Sequence, residues 1–241
     1  MTITSGTRRT KRYRYRKANN IQVYTDTAPI QEHIRSLTTI GINYPMIAAS
    51  AGCTKQCIRY IDIGAIERVR VELAAAIRAT THHPHPKQNR VLGIGAARRL
   101  RALNAIGWST TLLADRLGID VSGLNLCARR KHVTYQRWAE IRDLYNALSG
   151  TPGPSRKSIQ VARAAGHVPP LAWDGIDIDD PRAQPDWIAA GIKVQDRPVC
   201  VNNHPRTPAN TVTGRRGHRA CAECMRGQRE RAAARRQQTA A

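Results

Sequence analysis

The sequence predicts a mainly α protein with two helix-turn-helix bundles in tandem, a C-terminal strap and a small zinc-knuckle-like module. Three observations carry that expectation. A stretch of the first third recurs in the second third. Aromatic residues make up only 5% of the 241 residues, with no Phe, so several small cores of Ala, Leu and Ile are expected rather than one deep core. Lys and Arg number 39 against 17 Asp and Glu, a net charge of +22, which points to a polyanionic partner, nucleic acid first. No run of 18 apolar residues exists, and no helix pattern pairs a wide apolar face with a Lys/Arg face, so no membrane partner is expected. The N-terminus has no apolar stretch behind its positive charges, so the expected location is the cytoplasm.

Residues 1–24 form a basic arm, with Arg8, Arg9, Lys11, Arg12, Arg14, Arg16 and Lys17 interleaved by Tyr13 and Tyr15. It reads as too charged to fold alone. Such an arm suits a minor groove or a row of phosphates, with RNA stacking on the tyrosines as a lesser alternative.

Residues 25–79 and 93–150 are the two helical units. Positions 33–61 align with 99–127 at a constant offset of 66: Leu37 with Leu103, Gly41 with Gly107, Ala48 with Ala114, Gly52 with Gly118, Ile58 with Leu124. Each shared position has a physical reason. Two short helices crossing steeply need a small residue at closest approach, which Ala48 and Ala114 supply. The turn needs a residue tolerant of positive φ, hence Gly52 and Gly118. The second helix needs an apolar residue facing back, hence Ile58 and Leu124. Asn43 and Ser109, then Thr54 and Asp120, are favoured N-caps at matching positions. Helices over about 29–40 and 95–106 precede each pair, and helices over about 67–78 and 134–148 follow it. Cys53, Cys57 and Cys127 fall in apolar-patterned sequence and read as small buried residues.

Residues 80–92 read as a Pro-stiffened, solvated linker, whose His82, His83 and His85 are more economically solvent-facing than metal-binding. Residues 151–196 begin with a helix over about 155–165 and continue as a Pro-rich strap without a compelling regular element. The acids Asp174, Asp177, Asp179, Asp180, Asp186 and Asp196 concentrate there, either packed on the bundles or screening a basic face.

Thr27-Ala28-Pro29-Ile30 with His33-Ile34 and Leu37, Gly95-Ala96-Ala97-Arg98-Arg99-Leu100 with Ala102-Leu103, Gly107-Trp108-Ser109, Pro169 to Asp174, and Asp179-Asp180-Pro181 together resemble the tandem helix-turn-helix DNA-binding proteins of actinobacteria and their bacteriophages. The resemblance covers roughly residues 25–181 and implies sequence-specific binding of double-stranded DNA. In such units the second helix enters the major groove. The first reader would use Thr54, Lys55, Gln56 and Arg59; the second would use Ser122 and Asn125, with Arg129, Arg130 and Lys131 placed for phosphates. Arg8, Arg9, Arg12 and Arg14 of the arm would add to them.

Residues 197–241 hold Cys200-x3-His204 and, sixteen residues on, Cys221-x2-Cys224. Two ligand pairs on tight turns supply the four donors that one structural Zn²⁺ takes, with His218 as a substitute ligand. The segment resembles zinc-binding knobs of phage proteins and those beside some HNH endonucleases. Four protein ligands leave no open position, and Asn202-Asn203-His204 has no second His/Asp cluster, so no enzyme activity is expected. The function that results is a transcriptional regulator, a phage repressor or activator, bound as a monomer or weak oligomer to an asymmetric DNA site. The alternatives are a DNA-binding accessory of a nuclease or recombinase and a non-specific packaging protein.

Overall fold

A computed structural model describes residues 5–20, 22–192, 197–202, 204–213 and 219–239, the side chains of 5–7, 9 and 237–239 excepted. The fold is mainly helical with small two-stranded sheets. It divides into two compact units. The first holds the chain through Leu100, Leu113–Ala147 and Asp177–Ala183; the second holds Arg101–Leu112, Leu148–Ile176 and the chain from Gln184 onward. Among the described residues no helix is long and apolar enough to cross a membrane.

The basic segment expected to stay unfolded instead carries helix α1 (Ser5–Ala18). Arg and Lys are straight-chain residues of good helix propensity, and Arg16 and Lys17 sit where the C-terminal dipole favours cations.

In the first unit the chain continues as β1 (Tyr24–Asp26), α2 (Ala28–Thr39), α3 (Tyr44–Ala51), α4 (Lys55–Asp62), β2 (Arg68–Arg70) and α5 (Val71–Arg78). Ile30, Ile34 and Leu37 recur at i, i+4, i+7 on α2 and meet Ile47 and Ala48 of α3, Ile58 and Ile61 of α4, and Ile77 of α5 in one core. Expected as the start of a helix, Val69 instead lies in β2, opposite Thr25 of β1. Its alternating Arg-Val-Arg neighbours, with only Val69 buried, fit a strand with one face covered. Then β3 (Arg90–Leu92), α6 (Ile94–Ala105), α7 (Thr110–Arg116), α8 (Val121–Cys127), β4 (His132–Thr134) and α9 (Tyr135–Leu148) follow in the same order.

The repeat therefore extends beyond the stretch legible in sequence. Thr27 N–H donates to Glu67 O at 3.0 Å, and Gly93 N–H to Lys131 O at 2.8 Å. Val71 N–H donates to Val23 O at 3.0 Å, and Tyr135 N–H to Asn89 O at 3.1 Å. In both pairs the first strand keeps the offset of 66 while the second strand runs at 64, because two residues are missing between α8 and β4. Each copy is thus closed by a three-residue antiparallel ribbon tying its first element to its last helix.

The segment between the copies is anchored at two points, though residues such as His83 and Lys87 stay exposed. Gln88 is buried, its amide donating to Met46 O at 3.2 Å and Ser50 Oγ at 2.9 Å. Thr80 is buried too, its carbonyl 3.0 Å from His33 Nε2. The copies also touch directly: His132 Nε2 lies 2.9 Å from Gly41 O, and Leu92 belongs to the first copy's core.

Asp177–Ala183 is fixed by two adjacent arginines of α6. Arg98 donates to the carbonyls of Ile178 (3.0 Å), Asp180 (2.6 Å) and Ala183 (2.7 Å). Arg99 and Asp179 form a buried bidentate pair, both contacts 2.7 Å, and Trp138 Nε1 donates to the same carboxylate at 2.8 Å. A Cβ on Gly95 would collide with that carboxylate.

In the second unit, Trp108 Nε1 donates to Thr151 O at 2.9 Å and Ser158 Oγ to Asn104 O at 3.2 Å, seating α10 (Arg156–Ala164) on the end of α6. A short 3-10 helix, Pro170–Trp173, gives the Pro-rich strap a regular element that the sequence did not announce.

Asp179→Ala leaves the Arg99 guanidinium buried without its carboxylate and should destabilise the protein by about 3–5 kcal/mol in urea titration. The paired replacement Arg99→Met/Asp179→Leu removes both charges and should lose less than the single change; equal losses would mean the pair is not electrostatically coupled.

Candidate functional site

Most of the residues singled out in the sequence fall in two places: the outward faces of α4 and α8, and the Cys/His cluster of the tail.

The α3–α4 corner is built as its residues dictate. Asn43 caps α3 by accepting from Met46 N–H at 3.1 Å, and Thr54 caps α4 by accepting from Cys57 N–H at 3.2 Å. Gly52 sits between them at φ 71° in the left-handed region. Ala48 and Ile58 are buried beneath. The α7–α8 corner repeats each feature: Ser109 accepts from Leu112 N–H at 3.3 Å, Asp120 from Gly123 N–H at 2.8 Å, Gly118 has φ 61°, and Ala114 and Leu124 are buried. Cys53, Cys57 and Cys127 are half-buried rather than buried, Cys53 and Cys57 packing against the edge of the first copy's core. Burial nevertheless pushes the Cys53 thiol up to about 11, with the Cys57 thiol adding to it.

On α4, Thr54, Lys55 and Arg59 are exposed and Gln56 is half-buried. Tyr60 and Ile63 stand exposed beside them, unremarked in the sequence although Tyr60 lies one turn from Gln56. On α8, Ser122 and Asn125 are exposed, joined by Val121 and Leu126. Helical spacing from Ser122 to Leu126 would have found the latter.

The cations after α8 have different surroundings. Arg129 and Arg130 are exposed. Lys131 lays its stem over Gly41, with Cε 3.1 Å from where a Cβ would stand, so it also packs the copies together. Arg130 joins Arg90 and Arg137 in lining a cavity of about 280 Å³ beside α8, together with Leu126 and Cys127. Arg8, Arg12 and Arg14 of α1 are exposed; the Arg9 side chain lies outside the described residues.

In the tail, a turn bridged at Val199 and Pro205 carries Cys200 and His204, closed by Cys200 N–H donating to His204 O at 2.9 Å. A hairpin follows, β5 (Thr211–Thr213) against β6 (Arg219–Cys221), leading directly into α11 (Ala222–Thr239), whose first turn holds Cys224. The four expected donors converge: Cys200 Sγ to His204 Nδ1 3.6 Å, Cys200 Sγ to Cys224 Sγ 3.6 Å, His204 Nδ1 to Cys224 Sγ 3.2 Å, Cys221 Sγ to His204 Nδ1 3.6 Å. A tetrahedral ion with bonds of about 2.3 Å to sulfur sets neighbouring sulfurs about 3.7 Å apart, so the group can hold a metal ion. His218, together with Arg215 and Arg216, lies outside the described residues.

A second layer supports the donors. Asn202 donates from its backbone to Cys200 Sγ at 3.3 Å and from its side chain to Cys224 Sγ at 3.2 Å. Asn210 Oδ1 accepts from Glu223 N–H at 3.1 Å, and His204 Nε2, the ring nitrogen facing away from the sulfurs, lies 3.5 Å from Glu223 Oε2. The Cys224 backbone N–H, ahead of the neighbouring thiols and His204, draws the Cys221 thiol down to about 7.

Comparison with protein-family models, curated proteins and solved structures finds no match.

Thr54→Ala and Asp120→Ala each remove one cap bond and should each cost about 1 kcal/mol, against a few tenths for Thr54→Gly. Hydrogen exchange should show the loosening confined to α4 or α8; unchanged exchange in both variants would mean the caps do not hold these helices.

Proposed function

We propose that this chain is a sequence-specific double-stranded DNA-binding protein of the regulator type, in which α3–α4 and α7–α8 are two helix-turn-helix units. One observation carries the reading: a capped, Gly-turned second helix occurs twice with its reading positions exposed, Gln56 alone half-buried, on a chain of charge +22. Lys55 and Arg59 suit guanine, Gln56 and Asn125 suit adenine, and the exposed Val121 and Leu126 suit thymine methyl groups. Both reading helices belong to one compact unit, tied together through His132, Lys131 and Leu92, which favours one bipartite site over two independent ones.

A homodimer of single units reads a palindrome, because protein symmetry imposes site symmetry. Here the copies differ at every reading position, so duplexes selected from a random pool should converge on an asymmetric site with two submotifs about one helical turn apart. Gln56→Ala and Arg59→Ala should each cost about 1–3 kcal/mol and relax the preference at one or two base pairs. Removing residues 1–17 should weaken all sequences together and reduce the salt dependence. A pool without enrichment would replace this reading with non-specific packaging, and a palindrome bound by two chains would refute the monomeric arrangement.

The metal of the tail is a structural zinc ion. Three thiols and one imidazole are its preferred donors, and four protein ligands complete a closed tetrahedron. Purified protein should carry about one zinc per chain, lost in Cys224→Ser, while the helicity of the repeats survives, since the first copy's core holds no residue of the described tail. Metal-free intact protein with an ordered tail would contradict it, as would global unfolding of Cys224→Ser in circular dichroism.

A further inference from the structure

We infer that His82, His83 and Asp177 form a second metal site, taking a divalent cation of the zinc class with water completing its coordination. The two imidazoles come from the segment joining the copies, and the carboxylate comes from the far-off loop held by Arg98 and Arg99. His82 Nε2 lies 2.6 Å from Asp177 Oδ2, and His83 Nδ1 lies 3.7 Å from the same oxygen. All three donor atoms fall within 4.8 Å of one another.

The distances fit a metal after a small adjustment. Bonds of about 2.0–2.1 Å to nitrogen and oxygen place neighbouring tetrahedral donors about 3.3 Å apart, between the two separations observed. Zinc, copper and nickel favour imidazole nitrogen, whereas calcium and magnesium take sets of oxygens, so two histidines and one carboxylate select the former group. Three protein ligands leave room for water, and exposure matches: His82 is well covered, while His83 and Asp177 keep 61% and 37% of their side chains open to solvent.

The donors are also held in place by their surroundings. Asp177 Oδ1 accepts from Asp179 N–H at 3.0 Å, turning Oδ2 towards the histidines. Asp179 is itself clamped by Arg99 and Trp138. On the other side Thr80 is anchored to His33 and Gln88 to Met46, so both ends of the histidine segment are fixed on the first copy. The rings of His82 and His83 sit 4.2 Å apart by centroid. Such outer contacts orient metal ligands in advance. An ion here would bridge the inter-copy segment to the loop pinned on α6, making the link between the copies responsive to metal. The inference stands whether or not the chain reads DNA.

The test is calorimetric titration of Zn²⁺ into the full chain carrying zinc in its tail, followed by the same titration of Asp177→Asn and His83→Ala. The intact protein should take up one further equivalent, more weakly held than the first. Both variants should lose affinity for that equivalent by at least tenfold while retaining the tail zinc. His83 is exposed, so His83→Ala keeps the test decisive should Asp177→Asn loosen its loop. Uptake of no further zinc, leaving His82 and Asp177 as a simple hydrogen-bonded pair, would overturn the site. So would a further equivalent bound equally well by His83→Ala.

Discussion

Much of this structure follows from one buried charge. The Arg99 guanidinium lies in the interior of the first unit, where an unpaired cation would be costly enough to unfold the site. Its answer is Asp179, eighty residues later, gripped on both oxygens and shared with the Trp138 indole. Arg98 beside it spends its own donors on the carbonyls of the returning loop. The path of Asp177–Ala183, the covering of α6 and α9, and the position of Asp177 opposite the histidines all depend on that pairing.

The same anchor explains how two copies of one plan came to differ. The first copy's counterpart of Arg99 is His33, which lies against Thr80 O, and the counterpart of Trp138 in the closing helix is the buried Ala74. The first copy is tied instead by Asp62, which accepts from Tyr44 Oη at 2.5 Å and lies 3.3 Å from Arg35 Nε. That contact raises the Tyr44 hydroxyl above its usual range. The equivalent positions in the second copy are Ala128, Thr110 and Arg101, which cannot reproduce it. The shared parts are those that backbone geometry demands, namely the caps, the left-handed glycine, the small residue at the crossing and the ribbon. The divergent parts are the polar anchors and the outward faces.

That division also explains what was legible in the sequence. Ala48, Gly52 and Ile58 recur as residue types because steric needs fix them, so the repeat, its corners and its caps could be read directly. The ribbons could not: three-residue strands such as Tyr24–Asp26 carry too little alternation to stand out, and the two-residue shortening before β4 broke the register. The basic N-terminal segment misled because net charge argued against folding while helix propensity argued for it. The inter-copy segment misled because its Pro and His composition looks solvated, whereas Gln88 and Thr80 are buried by partners remote in sequence. In the tail the four donors were legible from spacing, and Asn202, Asn210 and Glu223 were not, since amides and acids near a knuckle have no distinctive pattern.

In the function proposed above, α4 and α8 engage one duplex at the same time from a single chain. Amide hydrogen exchange on the full chain, with and without one equivalent of its preferred duplex, measures this directly. Simultaneous engagement gives new protection in both 54–60 and 120–126 at a ratio of one chain per duplex. Protection of only one of the two helices, or protection appearing only when two chains occupy the duplex, would contradict it.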